Sequence, residues 1–154
     1  MQTHQLTLFA DYHQFYLQDE AASGDLSQAW SPEAVEQMLA VADGVVGIGT
    51  LRNMDVGVTL EILAEPPSAD TTGFDHVVEG SLDARSGTLV VAGCTDYFPD
   101  AARFALASGS YRVRLSISGA GTLSEDGIDG EDHYLVQLWP APPGATVVLK
   151  QGAF

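Results

Sequence analysis

The chain has 154 residues and a strongly acidic composition, with 21 acidic and six basic side chains and a net charge of −15. The shortage of Lys and Arg argues against binding to nucleic acid or to an anionic membrane, because attraction to phosphate needs basic side chains. Hydrophobic residues make up 45% of the sequence, which is enough for a buried core and argues against a disordered chain.

The sequence shows no targeting signal and no set of cysteines that could form disulfides or a zinc site. Met1–Phe9 has no Lys or Arg and no long apolar run, so it matches neither a signal peptide nor a transmembrane helix. Cys94 is the only cysteine, which excludes an internal disulfide and a four-cysteine zinc site. We therefore expect a cytoplasmic protein that forms a single domain over residues 1–154.

The N-terminal part is predicted to contain two strands and one helix. Residues 4–10 alternate between polar and apolar side chains, and residues 12–17 continue as an aromatic-rich strand. Ser31 is a good N-cap and Pro32 suits the first helical position. Together these signals predict one short helix near residues 31–42.

The predicted helix has an apolar face and a turn signal at its end. Val35, Met38 and Leu39 recur at the spacing of one helix face. Asp43-Gly44 is expected to end the helix. Trp30, just before the N-cap, is expected to fasten the helix to a sheet.

Everything after residue 44 is predicted as strands joined by turns. The clearest alternation places four apolar residues on one face: Val56, Val58, Leu60 and Ile62. Turn signals at residues 52–55 and 83–87 each lie between two apolar runs, and we expect a β-hairpin at each. Strands over residues 103–106 and 111–118 are expected to meet at residues 108–110. Further strands are predicted over residues 133–139 and 146–149.

These elements define the expected fold class. About nine or ten short strands with one helix predict a mainly β protein, an antiparallel β-sandwich of jelly-roll-like type. The single helix signal argues against a parallel βαβ architecture. Exposed sheet edges in such a fold are compatible with a homo-oligomer.

Two segments carry a pattern that goes beyond fold class. The first consists of Tyr12, His13, Gln14 and Phe15. The second runs from Trp30 to Leu63 and includes Trp30, Asp43, Gly44, Arg52 and Asn53. Together they resemble the competence protein J family, nuclease inhibitors that pair with a DNA-entry nuclease in competent bacteria.

The resemblance implies a β-sandwich fold and a role in inhibiting a nuclease. A nuclease active site holds polyanionic phosphate, often with a divalent metal. Clustered carboxylates on an inhibitor can occupy such a surface, and charge steering would raise the rate of association. The residues from Gly119 onward do not match the family, which leaves the identity of the partner open.

The densest acidic segment is Ser124–Asp132. It contains five carboxylates, which we take as the candidate partner-binding residues: Glu125, Asp126, Asp129, Glu131 and Asp132. Two other interpretations are a solvated loop and a calcium site, since several carboxylates in one loop suit a hard cation. The spacing does not fit an EF-hand.

Signals for catalysis are weak. Asp11 and His13 lie two apart in a predicted strand and would share a face, but no nucleophile motif accompanies them. Cys94 is expected to be a small core residue. Gly47-Ile48-Gly49 lies in a predicted strand, where close backbone packing is the better interpretation than nucleotide binding. We therefore predict no enzyme, no cofactor and no bound metal.

Two functions fit these sequence features. The first is an acidic domain that docks on a basic protein partner, in particular a nuclease. The alternative is a small-ligand module for a carbohydrate or a metal ion, because aromatic residues in a β-sandwich can line a sugar platform. The candidates for that platform are Tyr12, Phe15, Tyr16, Trp30 and Trp139, of which Trp139 is expected to be partly exposed.

Overall fold

The strands of the molecule form two sheets that face each other across a layer of apolar side chains. The computed structural model describes residues 1–154. The strands are β1 (Gln2–Phe9), β2 (Gln14–Asp19), β3 (Leu39–Ala42), β4 (Val45–Gly49), β5 (Asp55–Ile62), β6 (His76–Ala84), β7 (Thr88–Gly93), β8 (Ala102–Ala105), β9 (Gly109–Ser118), β10 (His133–Pro140) and β11 (Val147–Lys150). The one α-helix, α1, spans Pro32–Gln37.

The sheets are antiparallel except at one place. The larger sheet has the order β1-β5-β10-β9-β6-β11, and the smaller has the order β3-β4-β2-β7-β8. Only β5 and β10 pair in parallel. The prediction of a mainly β, two-sheet protein with one short helix is confirmed. No helix has the length and apolar character needed to cross a membrane.

The core follows from strand alternation in the larger sheet. On β5 the four residues predicted to share a face are buried, and the residues between them are partly exposed. On β9 the same rule buries Tyr111, Val113, Leu115 and Ile117. These side chains belong to a cluster of 24 buried residues drawn from both sheets. Period-2 alternation therefore predicts the buried faces correctly.

The predicted hairpins at residues 52–55 and 83–87 are wrong, and the strands that meet at residues 108–110 do not pair with each other. Strands β4 and β5, β6 and β7, and β8 and β9 follow each other in the chain, but the members of each pair lie in different sheets. The turns at residues 52–55, 83–87 and 108–110 are therefore crossings between sheets. Alternation shows which face of a strand is buried, and both sheets of a sandwich satisfy it equally.

The helix begins as predicted and ends early. Ser31 Oγ accepts a hydrogen bond from the Ala34 amide at 3.1 Å, as an N-cap does. Met38 then adopts a left-handed conformation with φ of 63°, which ends the helix at Gln37. Residues 39–42 form β3, which pairs with β4. Asp43-Gly44 is the turn between these strands, where Gly44 has φ of 71°.

A buried histidine ties the end of α1 and the C-terminal segment to the larger sheet. His76 is fully buried at the start of β6. Its Nε2 contacts the Gln37 carbonyl oxygen at 2.7 Å, and its Nδ1 accepts from the Gly152 amide at 2.9 Å. These partners require the neutral ring with the proton on Nε2. Burial lowers the pKa of His76 below its usual value, despite the opposing hydrogen bond to Gln37.

This arrangement predicts a pH-dependent contribution to stability. Because the pKa of His76 is lower in the folded chain, its contribution is fully present above the ordinary histidine pKa of about 6.5 and is lost as the pH falls through the folded value. Urea denaturation of the wild type and His76→Gln should show the free energy of unfolding falling more steeply with acidification in the wild type. Parallel pH profiles would contradict this role.

Candidate functional site

The segment that joins β1 to β2 is a strained turn. Asp11–His13 form one 3-10 turn, in which Tyr12 and His13 have φ of 59° and 58°. The prediction that Asp11 and His13 lie in a strand and share a face is therefore wrong. Asp11 Oδ1 accepts from the Tyr12 amide at 3.1 Å, and no carboxylate–imidazole pair forms. Both Tyr12 and His13 are exposed.

The two segments of the family pattern contact each other at this turn. Asn53 Oδ1 accepts a hydrogen bond from the His13 amide at 3.3 Å. The His13 carbonyl accepts from the Thr50 amide at 2.9 Å. The crossing between β4 and β5 thus holds the exposed turn in place through Asn53.

Arg52, the neighbour of Asn53, is buried in an ion pair. Its Nε lies 2.5 Å from Asp132 Oδ1, and its Nη1 donates to the Ile128 carbonyl at 2.9 Å. The Tyr134 hydroxyl donates to Asp132 Oδ2 at 2.6 Å and accepts from the Leu51 amide at 2.7 Å. Burial is the main reason why the pKa of Tyr134 is strongly raised. This network fastens the crossing between the sheets to the start of β10.

The acidic loop, residues 119–132, connects β9 to β10. Four of its five candidate partner-binding residues are exposed: Glu125, Asp126, Asp129 and Glu131. The fifth, Asp132, is 3% exposed, so its carboxylate serves the ion pair with Arg52 and is not on the surface. Hydrogen bonds from Ser124 and Ile128 lower the pKa of Asp126. Nowhere do three His, Cys, Asp or Glu side chains form a metal-binding group.

The remaining residues of the family pattern divide between core and surface. Phe15 is fully buried and meets Tyr134 edge to face, with 6.3 Å between ring centroids. Gln14 and Trp30 lie on the outer face of the smaller sheet, where Trp30 Nε1 donates to Gln14 Oε1 at 2.9 Å. Trp30 is half-buried, so it covers the sheet from outside instead of filling the core.

A glycine lets the Trp30 indole approach β4 closely. A Cβ at Gly47 would come within 2.8 Å of the Trp30 ring and 2.9 Å of the Leu26 side chain. The predicted close packing at Gly47-Ile48-Gly49 is confirmed. Trp30 is fastened to β4 by this contact, next to the start of α1.

Two concave surfaces flank Trp30. We name the first the Asp25 groove; it has a volume of about 400 Å³, and its lining includes Gln14, Tyr16, Gln18, Asp25, Trp30 and Cys94. We name the second the Tyr12 pocket; it has a volume of about 410 Å³, and its lining includes Tyr12, His13, Gln14, Trp30, Val35 and Met38. Both volumes are typical of ligand or side-chain binding sites.

Backbone strain is concentrated at the Tyr12 pocket. The only non-glycine residues with positive φ in the chain are Tyr12, His13 and Met38, and all three line this pocket. Such conformations cost about 1–3 kcal/mol each and persist at functional sites more than elsewhere. Tyr, His and Met do not favour this conformation, so the residue types do not predict the strain or the pocket.

Two single residues differ from their predicted environment. Cys94 is exposed rather than buried, because β7 ends at Gly93 and the thiol lines the Asp25 groove. Partial burial and the charge of Asp11 raise the pKa of Cys94, which disfavours a reactive thiolate. Trp139 is 4% exposed rather than partly open, with the Arg114 guanidinium 5.2 Å from its ring centroid. The predicted sugar platform therefore loses Trp139 as well as Phe15.

Every arginine forms an ion pair with a carboxylate of the protein itself. Besides Arg52, the pairs are Arg85 with Asp83 and Asp43, Arg103 with Glu20, and both Arg112 and Arg114 with Glu79. These pairs use five of the 21 carboxylates, so most acidic side chains have no cationic partner. The surface is consequently dominated by uncompensated negative charge.

The chain has a ComJ-like fold, which confirms at the level of the fold the resemblance in the Tyr12–Phe15 and Trp30–Leu63 segments. No protein-family model matches the chain, and no curated protein sequence matches it.

Two solved structures share this fold. One is ComJ from Bacillus subtilis, an inhibitor of the DNA degrading activity of NucA. The two structures superpose with a TM-score of 0.70 and 17% sequence identity, and the match covers 90% of this chain and 96% of ComJ. Crocagin biosynthetic gene J has a TM-score of 0.60 and 16% identity, over 92% of this chain and 98% of its own. At these identities the similarity shows the fold alone.

The Arg52–Asp132 pair predicts a contrast between two arginine variants. Arg52→Ala leaves the Asp132 charge buried without its cation and should lower the free energy of unfolding by about 3–5 kcal/mol. Arg85→Ala removes an arginine whose side chain is 72% exposed and should have almost no effect. Urea denaturation measures both. Equal effects of the two variants would contradict the structural role of Arg52.

Proposed function

We propose that the protein binds a basic nuclease and inhibits it. The observation that carries this proposal is the structural similarity to ComJ over 90% of the chain. ComJ inhibits the DNA degrading activity of NucA. The same two-sheet framework here carries a net charge of −15, which suits a partner with a basic surface.

Electrostatics supports inhibition of an enzyme that acts on phosphate. A nuclease attracts DNA with basic side chains, and the exposed carboxylates of this protein offer the same sign of charge as the DNA backbone. Because its arginines are paired internally, little positive charge opposes the approach of a basic partner. Charge complementarity of this kind raises the rate of association most at low salt.

The acidic loop is the proposed docking surface. Its exposed carboxylates are Glu125, Asp126, Asp129 and Glu131. The loop is joined to the Tyr12–His13 turn through two contacts: Arg52 with the Ile128 carbonyl, and Asn53 with the His13 amide. Arg52 and Asn53 therefore connect the acidic loop to the strained turn, and we propose that a partner contacts both.

Binding is favoured over catalysis by the geometry of the candidate groups. Asp11 and His13 form no pair, and the raised pKa of Cys94 works against a nucleophilic role. The Tyr12 pocket supplies shape and apolar surface without an aligned acid and base.

The direct test is an inhibition assay in the source organism. DNA hydrolysis is measured in extracts of a strain that lacks this gene, while purified protein is added back. We expect the activity to fall to a plateau at a stoichiometric amount of protein and to return at high salt. The nuclease responsible should have a basic isoelectric point. Hydrolysis that is unchanged at every protein concentration would refute the proposal.

Neutralising the loop tests the docking surface separately. The variant Glu125→Gln, Asp126→Asn, Asp129→Asn and Glu131→Gln should fold normally, because all four side chains are exposed. Its association rate with the inhibited nuclease should fall by about tenfold at low salt.

A matched control removes four exposed carboxylates elsewhere: Glu36→Gln, Glu65→Gln, Asp70→Asn and Asp100→Asn. Both variants change the net charge equally, so stopped-flow association rates separate a local effect from a general one. If the control slows association as much as the loop variant, the loop is not the docking surface.

A further inference from the structure

We propose that the Asp25 groove binds an arginine side chain of the partner. The inference deepens the proposed function, because it depends on a basic partner and names a second contact with it. It rests on the chemistry of four lining residues: Tyr16, Gln18, Asp25 and Trp30.

The walls of the groove are aromatic. Trp30 and Tyr16 both line it, and Trp30 is held in place by the hydrogen bond from its Nε1 to Gln14. The indole also packs closely against Gly47 of β4, and the Trp30 side chain is half-buried. A guanidinium group stacks on such a ring through cation–π and planar contacts, and tryptophan is the strongest partner for it.

The rim of the groove supplies acceptors. The Asp25 carboxylate is exposed, and its Oδ1 accepts a hydrogen bond from the Ser27 amide at 2.8 Å. The Gln18 amide nitrogen donates to the Ala22 carbonyl at 2.7 Å, which leaves the Gln18 amide oxygen without a partner. The hydrogen bonds from Ser27 lower the pKa of Asp25, so this carboxylate is charged at neutral pH.

No cation of the chain fills the groove. None of its lining residues is Lys or Arg, and all five arginines are paired with carboxylates elsewhere. The groove therefore combines aromatic walls, a carboxylate and a free amide oxygen with no internal cation. A guanidinium matches this set better than an ammonium group, because it is planar and carries donors in several directions.

The groove is also continuous with the proposed docking surface. Gln14 and Trp30 line both the Asp25 groove and the Tyr12 pocket. The Tyr12 pocket in turn contains His13, which Asn53 connects to the crossing beside the acidic loop. A basic partner seated on the loop can therefore extend an arginine along this face.

The test uses a hexa-arginine peptide and the two tryptophan indole signals of the ¹⁵N-labelled protein. Trp30 lines the groove and Trp139 is buried, so Trp139 is an internal control. We expect the Trp30 indole signal to shift on titration, with tighter binding than for hexalysine, while the Trp139 signal stays fixed. An unmoved Trp30 signal, or equal affinity for the two peptides at this site, would overturn the proposal.

Two aspartate variants make the test specific. Asp25→Asn should weaken the shift at Trp30 by roughly threefold in affinity, since it removes one exposed charge contact and keeps a good N-cap. Asp70→Asn is the matched control, because Asp70 is likewise exposed and its Oδ1 likewise accepts a hydrogen bond from the amide two residues on, that of Thr72 at 2.9 Å. Equal losses in both variants would mean a general charge effect, and the groove assignment would be wrong.

Nuclease inhibition and peptide binding at Trp30 are measured independently, so the two results distinguish this inference from the proposed function. If the wild type inhibits a nuclease but hexa-arginine leaves Trp30 unchanged, the inhibitor function stands and the groove assignment fails. If hexa-arginine binds at Trp30 but no nuclease is inhibited, the groove stands and the inhibitor function fails. Gly47→Ala gives a second check, because its Cβ displaces the indole and should reduce peptide binding at Trp30.

Discussion

The buried ion pair between Arg52 and Asp132 is the constraint around which the two sheets and the exposed surface are arranged. It joins residues 80 positions apart in the chain and fixes where β10 begins. Tyr134 completes the hydrogen bonding of the carboxylate and reaches the core, where it packs on Phe15. The acidic loop must end at this pair, and Asn53 beside it holds the Tyr12–His13 turn. The Arg52–Asp132 pair therefore stabilises both the fold and the exposed surface. Loss of either partner would leave an unpaired buried charge, which is costly.

Local patterns in the sequence predict the faces of the strands but not their partners. The alternation on β5 identifies its buried side chains, and Ser31 with Pro32 identifies the start of α1. The sheet to which each strand belongs depends on contacts between distant segments, so two crossings look like hairpins in the sequence. The end of α1 was missed for a related reason: Met38 stops the helix in a left-handed conformation that usually marks glycine.

In the candidate site too, some features follow from the residue types and others only from the three-dimensional structure. Acidity, the exposed loop carboxylates and the importance of Trp30 follow from residue types alone. The burial of Asp132 does not, because it depends on Arg52. The Asp25 groove is assembled from four separate parts of the chain: 14–18, 24–30, residue 45 and residue 94. The family pattern itself is mixed. Phe15 and Arg52 serve the core, whereas Tyr12, His13 and Trp30 form the surface.

The parallel pairing of β5 with β10 also shapes how the chain is made. β10 lies between β5 and β9 in the larger sheet, yet it leaves the ribosome after every other strand except β11. Until then β5 has β1 on one edge and an open hydrogen-bonding edge on the other, beside apolar residues of the unfinished core. Such an edge invites pairing with other chains. Completion of this sheet is therefore a late step in biosynthesis, because the edge of β5 stays unpaired until residues 133–140 have emerged.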